Sequence, residues 1–344
     1  MDLRLSIIIP FYNVERFISE CLDSVFDQDI PLSEYEVICV NDGSPDHSRE
    51  IVREYMERFP NLRLIEHEKN RKLGTARNTG RTIAKGEYIW NVDSDDQIVP
   101  NCLSGMLKVC EDNELDVLEF GTIQFSATRR KELPRIPQTS GVESGLDYLD
   151  RLNAYQVSRM CPVWNKMIRR EFLEENGIFS PEINMGEDVP YSFRILTLAK
   201  RLLVCPDCCY LYRTNDDSLT GSNWRPTPVV LYEKCFVNPK LVYRVAQTVP
   251  SAHPSTRKSF LQSAKYTLDL FPKYLSEMSA DNQARFKSLC RKSFFKNRYV
   301  FNLMGQRRSA RFPLAGGLKK NAVTNEHFTR HSLFAGAQYV RSNQ

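Results

Sequence analysis

The first 120 residues alternate short apolar runs with amphipathic stripes, and the connections between them are brief. That alternation restricts the fold more than any other property of the chain. Leu5 to Pro10 is a β-branched run of the kind buried on both faces of a parallel sheet. Phe17, Ile18, Cys21, Leu22, Val25 and Phe26 then recur at helical spacing. Tyr35 to Val40 reads as a second strand that stops at Asn41-Asp42-Gly43-Ser44-Pro45. There Ser44 is expected to cap a helix and Pro45 to occupy its first position. Ile51, Val52, Tyr55, Met56 and Phe59 supply that helix with a buried side. A third strand is expected over Leu62 to Glu66, a helix over Gly74 to Ala84 and a fourth strand over Glu87 to Val92. Leu103, Met106, Leu107 and Cys110 mark a further helix before a strand from Asp116 to Phe120. Strand–helix alternation of this kind predicts an α/β sheet with helices on both faces.

In such sheets ligands bind beyond the carboxyl ends of the strands. Three polar clusters fall there: Tyr12-Asn13, Asn41-Asp42-Gly43-Ser44 and Asp93-Ser94-Asp95-Asp96. From Ala127 to Ser144 the chain is basic and aperiodic, and it reads as a surface loop. Structure is expected to resume at Trp164-Asn165-Lys166, with a helix after Arg169 and another opened by Gly186-Glu187-Asp188 and running through Leu198. After Arg225-Pro226-Thr227-Pro228 the alternation ends and the sequence becomes helix-like and basic. The expected organisation is a catalytic domain over 1–225 and a helical basic region over 226–344.

At 344 residues, with 42% apolar and 26% charged residues, the chain has an ordinary globular composition. Wholesale disorder, a collagen-like repeat and a small disulfide scaffold are excluded. The net charge of +5 averages two unlike parts. Residues 281–344 carry thirteen Lys or Arg against Asp281 and Glu326, a net +11, which leaves −6 for residues 1–280. No apolar run approaches the ~18 residues that span a bilayer. The start, Met1-Asp2-Leu3-Arg4-Leu5, lacks the length and cleavage site of a signal peptide, so a cytoplasmic chain with reduced cysteines is expected. Cys205, Cys208 and Cys209 cluster; core packing and a metal site are the two readings, and no second ligand pair follows for the latter.

An Asp-x-Asp at a strand end puts two carboxylates on one side, since residues i and i+2 share a face. Clustered like charges are costly unless a cation neutralises them, and a divalent ion held by oxygen ligands is the usual solution. Asp93, Asp95 and Asp96 meet that demand; an acidic turn favouring the following helix dipole is the alternative. Asp42 has the position to accept hydrogen bonds from a nucleotide, and equally that of a turn residue beside Gly43. Arg77 and Asn78 stand where they would meet a diphosphate or solvent. Glu187-Asp188 is either a dipole-favoured acidic pair or the source of a general base.

Four segments in order resemble the family 2 glycosyltransferases: Ser6 to Glu15 (SIIIPFYNVE), Val40 to Asp46 (VNDGSPD), Ala76-Arg77-Asn78-Thr79-Gly80 and Asp93-Ser94-Asp95-Asp96. Glu187-Asp188, and Tyr212-Arg213 before Ser218, are similar to later motifs of that family. The resemblance spans about residues 4 to 220 and implies the GT-A fold, a Rossmann-like mixed sheet flanked by helices. It implies that Pro10, Tyr12 and Glu15 line a nucleotide base pocket, that Asp42 binds the base, and that Arg77 and Asp93 belong to the nucleotide-sugar site. It further implies Asp93 and Asp95 as ligands of Mn²⁺ or Mg²⁺, Asp188 as catalytic base, and Trp164 and Glu187 on the acceptor side. A core role for Trp164 stands beside that reading. The reaction implied is an inverting transfer of one sugar from a nucleotide-sugar, a UDP-sugar foremost, to a hydroxyl of a saccharide or lipid-linked saccharide in cell-surface polysaccharide synthesis. The chain departs from the pattern at Asn70-Arg71-Lys72, where many relatives carry small residues, and it has no Gln-x-x-Arg-Trp, the mark of the processive synthases.

Two other classes stand against this reading. A dinucleotide oxidoreductase is discounted because no Gly-x-Gly-x-x-Gly follows the first strand. A catalytically inactive GT-A relative that binds sugar or a partner is opposed by the joint presence of Asp42, Asp93, Asp95 and Asp188. For the basic end, nucleic-acid binding lacks a recognised motif. A solvated surface and attachment to an anionic membrane surface both stand, the latter with Phe294, Phe295, Tyr299, Phe301 and Phe312 among the charges.

Overall fold

In the computed structural model the described residues are 3–126, 129–133, 137–152, 156–157, 161–214, 227–269, 276 and 278–293. Residues 294–344 of the basic end, including Phe294, Phe295, Tyr299, Phe301 and Phe312, lie outside them.

Among the described residues nine strands form one mixed sheet. Strands β1 (Leu5–Phe11), β2 (Tyr35–Asn41), β3 (Leu62–Glu66) and β4 (Tyr88–Asn91) are parallel, in the order β3-β2-β1-β4. Helices α1 (Ile18–Phe26), α2 (Ser48–Arg58) and α3 (Leu73–Ile83) connect them. The first two crossovers build outward from β1 on one side, and the third returns past β1 to lay β4 on the other. Beyond β4 the sheet changes direction. β8 (Lys166–Arg169) pairs antiparallel with β4, and β6 (Val117–Phe125) antiparallel with β8. β9 (Leu202–Arg213) then runs parallel to β6, with β5 (Gln97–Ile98) on its far side and β7 (Arg130–Glu132) also paired to β6. This is the mixed, helix-flanked sheet that the sequence resemblance implies.

Side-chain alternation divides the core. Leu5, Ile7, Ile9, Val37, Cys39 and Trp90 face the layer containing α1, α2 and α4 (Leu103–Asp112). Ile8, Ile89, Val117 and Ile168 face the opposite layer, which contains α5 (Gly145–Asp150), α6 (Arg170–Glu175) and α7 (Asp188–Leu198). Burial of both faces is the reason these strands are nearly continuous apolar runs.

The structure departs from the sequence expectation in four places. The second helix begins at Ser48, since the Asn41 carboxamide oxygen accepts from the Ser44 N–H at 2.8 Å and turns the chain first. Ser44 therefore caps no helix, and its hydroxyl accepts instead from the Asn13 N–H. The stretch read as a loop over 127–144 contains β7, whose three residues are all exposed and charged and so carry no apolar alternation. β9 escapes the periodic reading because Pro206 and Asp207 interrupt it, and the ladder to β6 shifts register there. β5 is only two residues long. Cys209 is buried on β9, and among the described residues no cysteine group is placed to hold a metal.

Downstream of residue 227, α8 (Pro228–Tyr232) passes through a π-helical turn, Glu233–Val237, into α9 (Asn238–Thr248). α10 (Pro254–Asp269) and α11 (Ala280–Ser293) follow. Val242, Ala246, Val249, Phe260 and Ala264 join the apolar cluster of α7, with Phe193 stacked on Phe260 at 4.1 Å between centroids. These helices thus continue the core of the sheet's second layer.

Candidate active site

The three polar clusters converge where the strand order reverses around β1. The register sets Phe11 beside Asn41 and Ile8 beside Asn91, so the residues after β1, β2 and β4 emerge at one edge. The turns after β1 and β2 are tied to one another. The Val14 N–H donates to Ser48 Oγ at 3.0 Å, the Glu15 N–H to Asp46 Oδ2 at 2.9 Å, and the His47 N–H to Glu15 Oε2 at 3.0 Å. Pro10 is buried within β1, while Tyr12 is 47% exposed at the strand end. Glu15 is thus engaged in joining two turns.

Asp42 is buried and fully occupied with its own loop. It accepts from the Arg71 and Lys72 N–H groups, each at 2.8 Å, and lies 2.7 Å from His67 Nδ1. His67 Nε2 lies 2.9 Å from Thr79 Oγ1, and that hydroxyl also meets the Thr75 carbonyl at 3.0 Å. The carboxylate thereby folds the 67–72 segment back over the end of β2. His67 was not singled out by the sequence motifs, although its place directly after the third strand would have marked it.

Arg77 is the centre of the arrangement. It projects from α3, is 3% exposed, and is bonded to carboxylates from two distant segments. Nη2 donates to Asp93 Oδ1 at 2.8 Å, and Nη1 donates to Glu187 Oε1 at 3.0 Å and to Asp188 Oδ1 at 2.5 Å. Burial opposes the guanidinium charge, but Asp188, Asp93 and Glu187 outweigh it and hold Arg77 protonated. A planar guanidinium bridges several carboxylates at once, a geometry that a lysine ammonium does not reproduce.

The cluster still has an excess of negative charge. Burial, with Asp93 next, pushes Asp95 up to about 6. Burial and the neighbouring Asp95 and Asp93 carry Asp96 well above the ordinary carboxylate range. Glu187 is pushed up to about 8 by burial and then by Asp188. At neutral pH Glu187 therefore holds a proton, and Asp188, with its side chain 26% exposed, is the carboxylate of the pair open to solvent. The folded chain keeps this Glu187 proton until about pH 8, whereas an unfolded chain releases it near 4.5. Its contribution to stability is full below about 4.5 and is lost as pH rises through about 8. Melting temperatures measured from pH 5 to 8.5 should decline less steeply in Glu187→Gln than in the parent; identical slopes would contradict this assignment.

Asp96 belongs to the scaffold. It is buried, accepts from the Tyr210 hydroxyl and from the Arg213 N–H, each at 2.7 Å, and so pins the 93–96 turn to β9. Arg213 also donates through Nε to the Asp95 carbonyl at 2.7 Å and through Nη2 to Glu20 at 2.6 Å. The Asp95 carboxylate is held by its own backbone N–H and lies in the field of Arg213. No three His, Cys, Asp or Glu side chains among those residues converge as a metal cage. A divalent ion is commonly held by one or two carboxylates, with substrate phosphates and water completing its shell. Asp93 and Asp95 fit that donor set. Trp164 is buried and stacked on Tyr210, with centroids 4.6 Å apart, and its carbonyl accepts from Trp90 Nε1 at 2.6 Å. Glu187, 5% exposed, turns toward Arg77.

The sequence profile described as "Glycosyl transferase family 2" matches residues 6–177, half of the chain. The chain belongs to glycosyl transferase family 2. Within family 2 it is 37% identical over 224 residues to the "Uncharacterized glycosyltransferase EpsJ" of Bacillus subtilis, covering 64% of each chain. It is 34% identical over 217 residues to the poly(ribitol-phosphate) beta-glucosyltransferase of Bacillus spizizenii, covering 62% of this chain and 33% of that one. The chain thus spans less than two thirds of the length of these relatives. Among solved structures, TarS 1–349 of S. aureus in complex with UDP-GlcNAc superposes with a TM-score of 0.66 at 22% identity, covering 88% of this chain and 84% of that one. That likeness establishes the GT-A fold of this family 2 chain.

Proposed function

We propose that this chain transfers a single sugar from a nucleotide-sugar, a UDP-sugar foremost, to a hydroxyl of a saccharide or lipid-linked saccharide in cell-surface polysaccharide assembly, with inversion at the anomeric carbon. The observation that carries the proposal is the joining of Asp93 and Asp188 at one buried guanidinium. It sets a strand-end carboxylate of the nucleotide side beside a solvent-reachable carboxylate at the start of α7. Names of relatives that glycosylate poly(ribitol-phosphate), and the UDP-GlcNAc bound by TarS, support the acceptor and donor classes.

In the proposed reaction the acceptor oxygen forms a bond to the anomeric carbon as the bond to the diphosphate oxygen breaks. The hydroxyl proton passes to Asp188, whose neighbour Glu187 already carries a proton. Arg77 fixes Asp188 against the nucleotide side, so the attacking oxygen is positioned before the bond changes begin. Tyr12 offers an exposed ring to the base, and Pro10, Glu15 and Asp42 shape the wall behind it. Asp93 and Asp95 would hold Mn²⁺ or Mg²⁺, which when bound would stabilise negative charge on the departing nucleoside diphosphate.

A thermal-shift screen of UDP-, GDP- and dTDP-sugars with Mn²⁺, followed by product detection, tests the proposal. UDP-sugars should raise the melting temperature, and EDTA should remove both the shift and turnover. Indifference to every nucleotide-sugar would overturn the transferase reading, and EDTA-resistant turnover would remove the metal from it. No helix among the described residues is long and apolar enough to cross a membrane. The +11 charge of residues 281–344 supports contact with anionic lipid. The full chain should cosediment with anionic vesicles at low salt and release at high salt; absence of binding would leave a solvated surface.

A further inference from the structure

We infer that the helices after residue 227 form a clamp on the loop that presents Glu187 and Asp188, with Glu233 and Asn238 as its positioning residues. The inference rests on the proposed role of Asp188. The loop from Ile178 to Glu187 is held on one side by α3. There Asn78 exchanges two hydrogen bonds of 2.9 Å with the backbone of Ser180, and Gly74 lies so close that a Cβ would collide with the Pro181 carbonyl. These contacts fix the start of the loop, and Arg77 of the same helix meets the Glu187 and Asp188 side chains at its end, which leaves the backbone of residues 184–186 to be held from elsewhere.

The other hold comes from α8 and α9. Glu233 Oε2 accepts from the Asn184 N–H at 2.6 Å and from the Asn184 side-chain amide at 2.7 Å. The buried Asn238 side-chain amide donates to the Gly186 carbonyl, one peptide before Glu187. Gly186 has φ +79°, and a Cβ there would stand 2.5 Å from Asn238 Nδ2. Only glycine meets both demands without strain. Glu233 and Asn238 bracket the π-helical turn. Such turns insert an extra residue into a helix and frequently accompany functional sites. Here the turn lies between the two contacts, so it sets how Glu233 and Asn238 face the loop together. The clamp lies beyond the 6–177 stretch shared with the family profile. The shared stretch therefore supplies Arg77 from α3 and Asp93 from the turn after β4, while the following helices hold the backbone of the loop that meets them.

Asn238→Ala, Asn184→Ala and Glu233→Gln in the full chain test the clamp, the last keeping an acceptor of the same shape. Three readouts are compared: UDP affinity with Mn²⁺ by calorimetry, turnover of UDP-GlcNAc by hydrolysis across pH, and amide exchange over residues 184–188. Asn238→Ala and Asn184→Ala should bind UDP within about twofold of the parent but lose roughly 10- to 100-fold in kcat, the scale expected for a displaced reacting group. Their kcat–pH profiles should shift and amide protection at 184–188 should fall, with Glu233→Gln retaining most of both. Unchanged protection in the two alanine variants would overturn the clamp. So would parallel losses of UDP affinity, melting temperature and kcat, which mark a general structural role. If Asp188→Asn keeps full turnover while the alanine variants lose protection, the base assignment fails and the physical clamp stands.

Discussion

Asp188→Asn should bind UDP with near-parental affinity and turn over roughly 10²- to 10⁴-fold more slowly, the range associated with losing a positioned general base. The carboxamide keeps the side-chain shape at the start of α7 and can still accept from Arg77 Nη1, so the fold should persist. In the proposed mechanism, what it removes is the capacity to take the acceptor proton. Affinity for UDP is the control, because the proposed base side of the nucleotide site is built from the turns after β1 and β2, which are tied to each other without α7. Parental turnover in this variant would move the base elsewhere and dissolve the proposed mechanism. Calorimetry with UDP and a product assay on the same preparation separate the two outcomes.

Arg77→Met should be the most destabilising substitution at the site. It leaves Asp93, Glu187 and Asp188 facing one another around an apolar side chain, and removing one partner of a buried ion cluster costs about 3–5 kcal/mol. The loss has a predictable pH dependence. Without the guanidinium the remaining carboxylates bind protons more readily in the folded state than when unfolded. Stability of the variant should therefore recover as pH falls and worsen as it rises. Urea unfolding at pH 6 and pH 8 reads both effects, and a loss below about 1 kcal/mol with no pH dependence would contradict the hub role. Arg77→Lys should rescue only part, since a single ammonium does not reproduce the fork that reaches three carboxylates.

Much of the fold was legible because its information is local. The runs from Leu5, Tyr35 and Glu87 are largely apolar on both faces, the run from Leu62 is short and β-like, and the stripes after Phe17 and Ile51 repeat at helical spacing, so each announces its element without reference to the rest. The antiparallel half was less legible. β7 is wholly charged, β5 has two residues and β9 contains Pro206, so their pairing arises from long-range hydrogen bonds that leave no periodic trace. Among the proposed site residues, Asp42, Asp93, Asp95 and Asp188 were visible through strand-end position and motif order. Asp96 shared that position but is spent on Tyr210 and Arg213, a distinction that depends on where β9 runs.

By itself, then, the sequence determined the alternating α/β architecture, the family and the list of acidic residues, since period and spacing are properties of neighbours along the chain. The tertiary structure decided which of those acids share a charge. Arg77 meets Asp188 across 111 positions, and Asp96 meets Tyr210 across 114. It also decided which groups keep their protons, because desolvation and the nearness of other carboxylates exist only once the chain has folded around them. In sequence Glu187 reads as half of a dipole-favoured acidic pair or as an acceptor-side residue; enclosed beside Asp188 and Arg77, it is pushed up to about 8, chiefly by burial.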